Sequence, residues 1–88
     1  MNSTATDHFW RLFALLPANI QQAARDAYLQ FQADPRHPGL HFHRLTYNPR
    51  LWSVRITRNY RAVGLLDGNT IAWFWIGTHA EFDQKFPR

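Results

Sequence analysis

The reading of the fold turns on residues 51 to 76: Leu51-Trp52-Ser53-Val54-Arg55-Ile56-Thr57, then Arg58-Asn59, then Tyr60-Arg61-Ala62-Val63-Gly64-Leu65-Leu66, then Asp67-Gly68-Asn69, then Thr70-Ile71-Ala72-Trp73-Phe74-Trp75-Ile76. In the first run Trp52, Val54 and Ile56 alternate with Ser53, Arg55 and Thr57, the period of two of a half-buried strand. Asp67-Gly68-Asn69 is the strongest hairpin signal in the chain, because glycine accepts the positive φ that a tight strand connection needs. The last run is apolar on both faces, which suits a central or doubly covered strand. Turns this short join neighbours, so the three runs form an antiparallel meander.

Working toward the N-terminus, Leu40–Tyr47 reads as a further strand, with Leu40, Phe42 and Arg44 alternating imperfectly against His41, His43 and Leu45, and Asn48-Pro49-Arg50 as its turn. Before it, Asp34-Pro35-Arg36-His37-Pro38-Gly39 breaks a helical pattern. From Ala18 to about Gln32, Ile20, Ala24, Ala27, Tyr28 and Phe31 recur at steps of three and four, one face of an amphipathic helix opened by Pro17. An earlier stripe of Phe9, Trp10, Leu12, Phe13, Leu15 and Leu16 marks another helix, capped by Thr6 or Asp7. The expected fold class is therefore α+β: two N-terminal helices packed on an antiparallel sheet of about four strands, in one domain spanning residues 1–88.

Composition narrows the chemistry. The 88 residues are 45% hydrophobic and 16% aromatic, enough for a dense small core and against general disorder. The absence of cysteine excludes disulfides, thiolate zinc sites and a cysteine nucleophile. Met1 to Asp7 carries no basic stretch and no apolar core, and no apolar run approaches a membrane span, so a soluble cytoplasmic domain without a membrane role is expected. Charge is uneven. Arginine supplies nine of the ten basic residues, and between Pro35 and Leu66 there is no acid while Arg36, Arg44, Arg50, Arg55, Arg58 and Arg61 all occur. Such segregation favours a polyanionic partner, and arginine offers phosphate a planar fork of donors.

Two constellations can carry chemistry. Arg55, Arg58 and Arg61 place guanidinium groups around one turn, as phosphodiester chemistry requires to hold phosphate and stabilise added charge. A plain two-residue turn would pair Ile56 with Arg61 and send Arg55 to the other face. A three-residue or bulged turn would pair Thr57 with Arg61 and so turn Arg55 and Arg61 to one face. The alternative role for these arginines is solvation or an ion pair, for which Asp83 is available. Further on, Gly77-Thr78-His79-Ala80-Glu81-Phe82-Asp83 follows the last strand, and His79 there is a candidate general acid or base set in a loop. His43 is a weaker candidate for the same work. With His37 and His41 it could reach a metal, but nothing supplies a further ligand, so no metal is assigned. Arg44, Arg50, Arg58 and Tyr60 are the candidate RNA contacts, three cations and one ring able to stack.

The order and spacing of these motifs resemble the RelE/ParE superfamily of bacterial toxin–antitoxin toxins. The resemblance rests on Leu16-Pro17 opening the long helix, Asp34-Pro35 closing it, His43-Arg44-Leu45, Trp52-Ser53-Val54-Arg55-Ile56, Tyr60-Arg61-Ala62-Val63 and Trp73-Phe74-Trp75-Ile76-Gly77-Thr78-His79-Ala80-Glu81-Phe82-Asp83. It implies a microbial-ribonuclease-like fold and one of two activities: ribosome-dependent cleavage of mRNA, as in RelE-like members, or poisoning of DNA gyrase, as in ParE-like ones. By position, Arg61 matches the arginine used at the scissile phosphate, and His79 a C-terminal His or Tyr region used in acid–base roles. His43 falls where some members carry a carboxylate or Lys, and Phe82 replaces a frequent Tyr. The implied mechanism is metal-independent and needs no cofactor: His79 or His43 assists attack by the RNA 2′-OH, Arg61 with Arg55 or Arg58 stabilises the phosphorane, and a 2′,3′-cyclic phosphate remains. The implied partners are a cognate antitoxin and mRNA on the ribosome, with gyrase as the alternative target and an inactive RNA- or antitoxin-binding domain as the third possibility.

Overall fold

In the computed structural model, which describes residues 1–87, the chain runs β1 (Asn2–Ala5), α1 (Asp7–Ala14), α2 (Ala18–Ala33), a 3₁₀ turn (Pro38–Leu40), β2 (His43–Leu45), β3 (Asn48–Thr57), β4 (Tyr60–Asp67), β5 (Thr70–Thr78) and α3 (His79–Lys85). The strands form one sheet in the order β1-β5-β4-β3-β2, antiparallel except for β1, which lies parallel to β5. The α+β class is the one expected from the sequence, with five strands in place of four and a third helix after the sheet. The extra strand is Asn2-Ser3-Thr4-Ala5, a polar edge segment with no apolar alternation to announce it, and it makes β5 a central strand.

Local chemistry sets the element ends. Thr6 is the N-cap of α1, its hydroxyl accepting from the Phe9 amide at 3.1 Å, and Pro17 stands at the N-cap of α2. Ile20, Ala24, Ala27 and Phe31 are the buried face of α2, whereas Tyr28, expected on that face, is 41% exposed. The strand expected at Leu40–Tyr47 is reduced to His43–Leu45. Leu40 ends the 3₁₀ turn and His41 follows in the left-handed region at φ 46°, which breaks the extended run. Asn48-Pro49-Arg50, expected as a turn, opens β3; the connection begins two positions earlier, at Thr46 and Tyr47.

Both faces of the sheet are covered, unequally. Against α2 lie Val54, Ala62, Ile71, Trp73 and Ile76 with Phe31 and Leu40, and α1 packs Phe9, Leu12 and Phe13 on the same cluster. On the other face Leu45, Val63 and Trp75 meet Phe82 and Phe86, from α3 and just beyond it. Gly64 lets Trp73 close on the sheet, since a Cβ there would stand 2.9 Å from the indole. Among the described residues no helix is long and apolar enough to cross a membrane.

Candidate functional site

The register decides what the arginines can do. Val54 pairs with Ala62, Arg55 with Arg61 and Thr57 with Tyr60, so Ile56 is an extra residue bulged out of the ladder. The turn is a two-residue one at Arg58 and Asn59, yet the bulge sets Arg55 directly opposite Arg61 and hence on the same face. Two like charges placed opposite each other destabilise a hairpin unless an anion joins them. Ser53 lies two residues before Arg55 on that face, is buried, and pairs across the next ladder with His43. His43, Ser53, Arg55 and Arg61 thus share the sheet face that α3 covers only in part.

Arg61 has a second task. One of its terminal nitrogens donates to the carbonyls of Thr57 at 2.8 Å and Tyr60 at 3.0 Å, with a longer contact to Arg58 at 3.5 Å. The guanidinium therefore clasps the β3–β4 turn from beneath. The same turn is held from two other directions: the Asn59 amide donates to the Thr57 hydroxyl at 3.3 Å, and the Asn59 carbonyl accepts the backbone amide of His79 at 2.6 Å.

That last bond fixes where His79 stands. His79, expected in a loop, is the first residue of α3, whose N-cap is Thr78. The Glu81 amide donates to the Thr78 hydroxyl, while the Glu81 carboxylate accepts from the Thr78 amide and hydroxyl at 3.0 Å each. These bonds, the amide first, hold the Glu81 carboxyl below its ordinary 4.5. The His79 ring lies 3.5 Å from Asp83 through Nδ1 and stacks near Phe82. The Thr78-His79-Ala80-Glu81 spacing, Thr-x-x-Glu, is the capping signature that could have identified this helix in the sequence.

Gly77 opens the second constellation in the sequence, but no role could be read for it there. It pairs with Arg61 across β4 and β5. A Cβ on it would stand 2.6 Å from the Trp75 ring and 3.0 Å from the Glu81 carboxylate. The bare glycine thus lets Trp75 lie along the strand and keeps the floor beside Arg61 open.

The remaining candidates do not all converge. Arg58 is in the clasped turn and exposed, close to the Arg55–Arg61 pair in sequence and ladder. Arg44 pairs with Trp52, and Arg50 is two residues before Trp52, so both project from the opposite, helix-covered side at the β2 edge. Tyr60 pairs with Thr78 and alternates with Arg61, which also puts its ring away from the arginine face. His43 is exposed, and its Nδ1 is bonded to the His41 carbonyl at 2.7 Å. Among the described residues no group of three His, Asp or Glu side chains could hold a metal ion.

What emerges is a basic α+β domain with a cationic sheet face, closed at one end by a short capped helix. A family model described as the ParE-like toxin domain matches residues 18–84, and the chain belongs to that family. Solved structures of the same fold include a RelB–RelE antitoxin–toxin complex from Methanococcus jannaschii, at 15% identity and TM-score 0.76, covering 96% of this chain and 99% of that one. A YoeB/ParE toxin from Agrobacterium tumefaciens is 19% identical with a TM-score of 0.71, covering 90% of this chain and 99% of that one. The isolated RelE toxin of E. coli is 12% identical with a TM-score of 0.68, covering 88% and 82%. No curated protein matches the chain at a significant level.

Proposed function

We propose that this chain is the toxin of a toxin–antitoxin pair and acts as an mRNA endoribonuclease on the ribosome. The observation that carries this reading is the bulge that stands Arg55 opposite Arg61 on the face bearing His43. A phosphodiester between the two guanidinium groups would meet donors from both strands, and the added charge of the phosphorane would build up against them. His43 or His79 takes the 2′-OH proton, the 2′-oxygen bonds to phosphorus, and the 5′-oxygen leaves with a proton from the other group. The products are a 2′,3′-cyclic phosphate and a 5′-hydroxyl end, and DNA, which lacks the nucleophile, is left intact. Neither a metal nor a cofactor enters this scheme. The activity is a cytoplasmic one.

The antitoxin has a surface suited to it. A cleft of about 520 Å³ opens between α1, α2 and β1, lined by Phe9, Trp10, Phe13, Tyr28 and Leu29 with Arg25 at its rim. Trp10 and Leu29 are 54% and 63% exposed, and apolar exposure gathered in one place marks a protein contact. An amphipathic segment with an acidic residue facing Arg25 fits this cleft.

A second reading is favoured by one observation. Because Arg61 clasps its own turn, it can be explained as a structural residue of a toxin that binds DNA gyrase without cleaving RNA. Mapping transcript 5′ ends after induction, in wild type and in Arg55→Ala and His43→Ala, separates the two. New 5′-hydroxyl ends within coding regions, lost in both variants, support the ribonuclease. Growth arrest with intact transcripts and damaged DNA, unchanged in the variants, supports gyrase.

A further inference from the structure

His41 is the only non-glycine residue with positive φ among those described, and it is held there from both sides. Leu40 before it is buried in the helix-side core at 1% exposure. Phe42 after it stacks on Trp52 at 4.6 Å and meets Phe31 edge-on at 4.9 Å. The 3₁₀ turn is itself fixed, since the His37 ring accepts the Gly39 amide and the His41 amide closes onto the Pro38 carbonyl. Backbone in so sparsely populated a region persists only where its surroundings over-determine it, and such residues cluster at functional sites.

The consequence is where the His41 carbonyl goes: it stands 2.7 Å from His43 Nδ1. A carbonyl can only accept, so the Nδ1 must carry the proton, and in the neutral ring the Nε2 then holds the lone pair. His43 is next to Ser53 in the ladder, diagonal to Arg55 on the arginine face. We propose that His41 is a positioning residue, whose left-handed backbone fixes His43 as its Nδ1–H tautomer and leaves Nε2 as the proton acceptor beside the Arg55–Arg61 pair. The claim about His43 as acceptor in catalysis rests on the ribonuclease reading; the tautomer does not.

The side chain of His41 takes no part in this, which makes the idea testable by backbone preference. Glycine accepts positive φ freely and a β-branched residue resists it. The experiment uses full-length protein with ¹⁵N-labelled histidine, reading each ring's protonated nitrogen by NMR above its titration range, alongside cleavage assays. Wild type and His41→Gly are expected to show His43 as Nδ1–H and to cleave equally. His41→Val is expected to move His43 toward the Nε2–H form and lose cleavage about tenfold, a part of the roughly 100- to 10,000-fold that a positioned acid or base supplies. An Nε2–H ring at His43 in wild type, or loss of cleavage in His41→Gly equal to that in His41→Val, would overturn the proposal. If His41→Val fails to fold, the wild-type tautomer and the His41→Gly comparison still decide it. If the tautomer is as expected but wild type cleaves no RNA, the ribonuclease reading falls and the positioning of His43 stands.

Discussion

The two hairpin turns that flank β4 are built by opposite means. The β4–β5 turn needs only its own residues: Gly68 stands at φ 60°, Asp67 pairs with Thr70, and nothing lies within 4 Å of where a Gly68 Cβ would be. The β3–β4 turn has no glycine and no positive φ. Its two residues would splay the strands, and the mismatch is absorbed by the bulge at Ile56 and by bonds from three outside groups, the Arg61 guanidinium, the Thr57 hydroxyl and the His79 amide. The autonomous turn is at the far end of the sheet from the arginines. The dependent turn is the one that brings Arg55, Arg61 and the start of α3 to one place.

This contrast orders the expected effects of mutation. Arg61→Ala removes both the proposed phosphate donor and the clasp, so cleavage is expected to fall about 100-fold or more. The protein is also expected to lose about 1.5–3 kcal/mol by denaturant titration, the range for hydrogen bonds made by a charged group. A loss of cleavage with unchanged stability would show that the turn does not depend on Arg61. Unchanged cleavage would remove Arg61 from the chemistry.

Arg55→Ala makes the sharper test, because Arg55 has no part in the turn. Cleavage is expected to drop about 10- to 100-fold, below the cost of losing a donor that also positions its neighbours. Stability is expected to hold or rise by a few tenths of a kcal/mol, since the mutation relieves a like-charge cross-strand pair. A clear loss of stability would mean that Arg55 is a structural partner and not a free phosphate ligand. Gly68→Ala completes the comparison from the other side: a Cβ in the left-handed region is expected to cost about 1–2 kcal/mol and leave cleavage as it was.

The same contrast explains what could be read from the sequence. Elements that carry their own signal were legible: the alternation of Leu51–Thr57, the Asp67-Gly68 turn, and the Ile20, Ala24, Ala27 and Phe31 face of α2. Elements held by distant partners were not. β1 is polar and exists because the edge of β5 accepts it. His41 adopts positive φ because Leu40 and Phe42 are both anchored, a condition invisible in a run of alternating residues. The candidate site is of the second kind. Arg55, Arg61, His43 and His79 were each legible as chemically able residues, but whether Arg55 and Arg61 meet depends on one bulged residue, and Gly77 draws its meaning only from Trp75 and Glu81 beside it.

The smallest effect is expected with pH, and it reaches the dependent turn alone. Glu81 titrates below its ordinary 4.5, because the amide and then the hydroxyl of Thr78 stabilise the charged carboxylate. A carboxyl lowered by folding adds stability above its unfolded value, and that contribution disappears as pH falls through the lowered one. Neutral Glu81 cannot hold the Thr78 amide as firmly, and the next amide along, His79, is the one bonded to Asn59 in the β3–β4 turn. Amide protection measured by NMR exchange and corrected for the pH-dependent intrinsic rate should therefore fall at Thr78 and His79 below pH 4.5, while the β4–β5 turn keeps its neutral-pH protection. Glu81→Gln should remove most of that difference at the Thr78 amide, since the amide side chain has no charge to lose. If both turns loosen together as pH falls, the capping box is not what links α3 to the arginine end of the sheet, and the two turns would differ in sequence without differing in support.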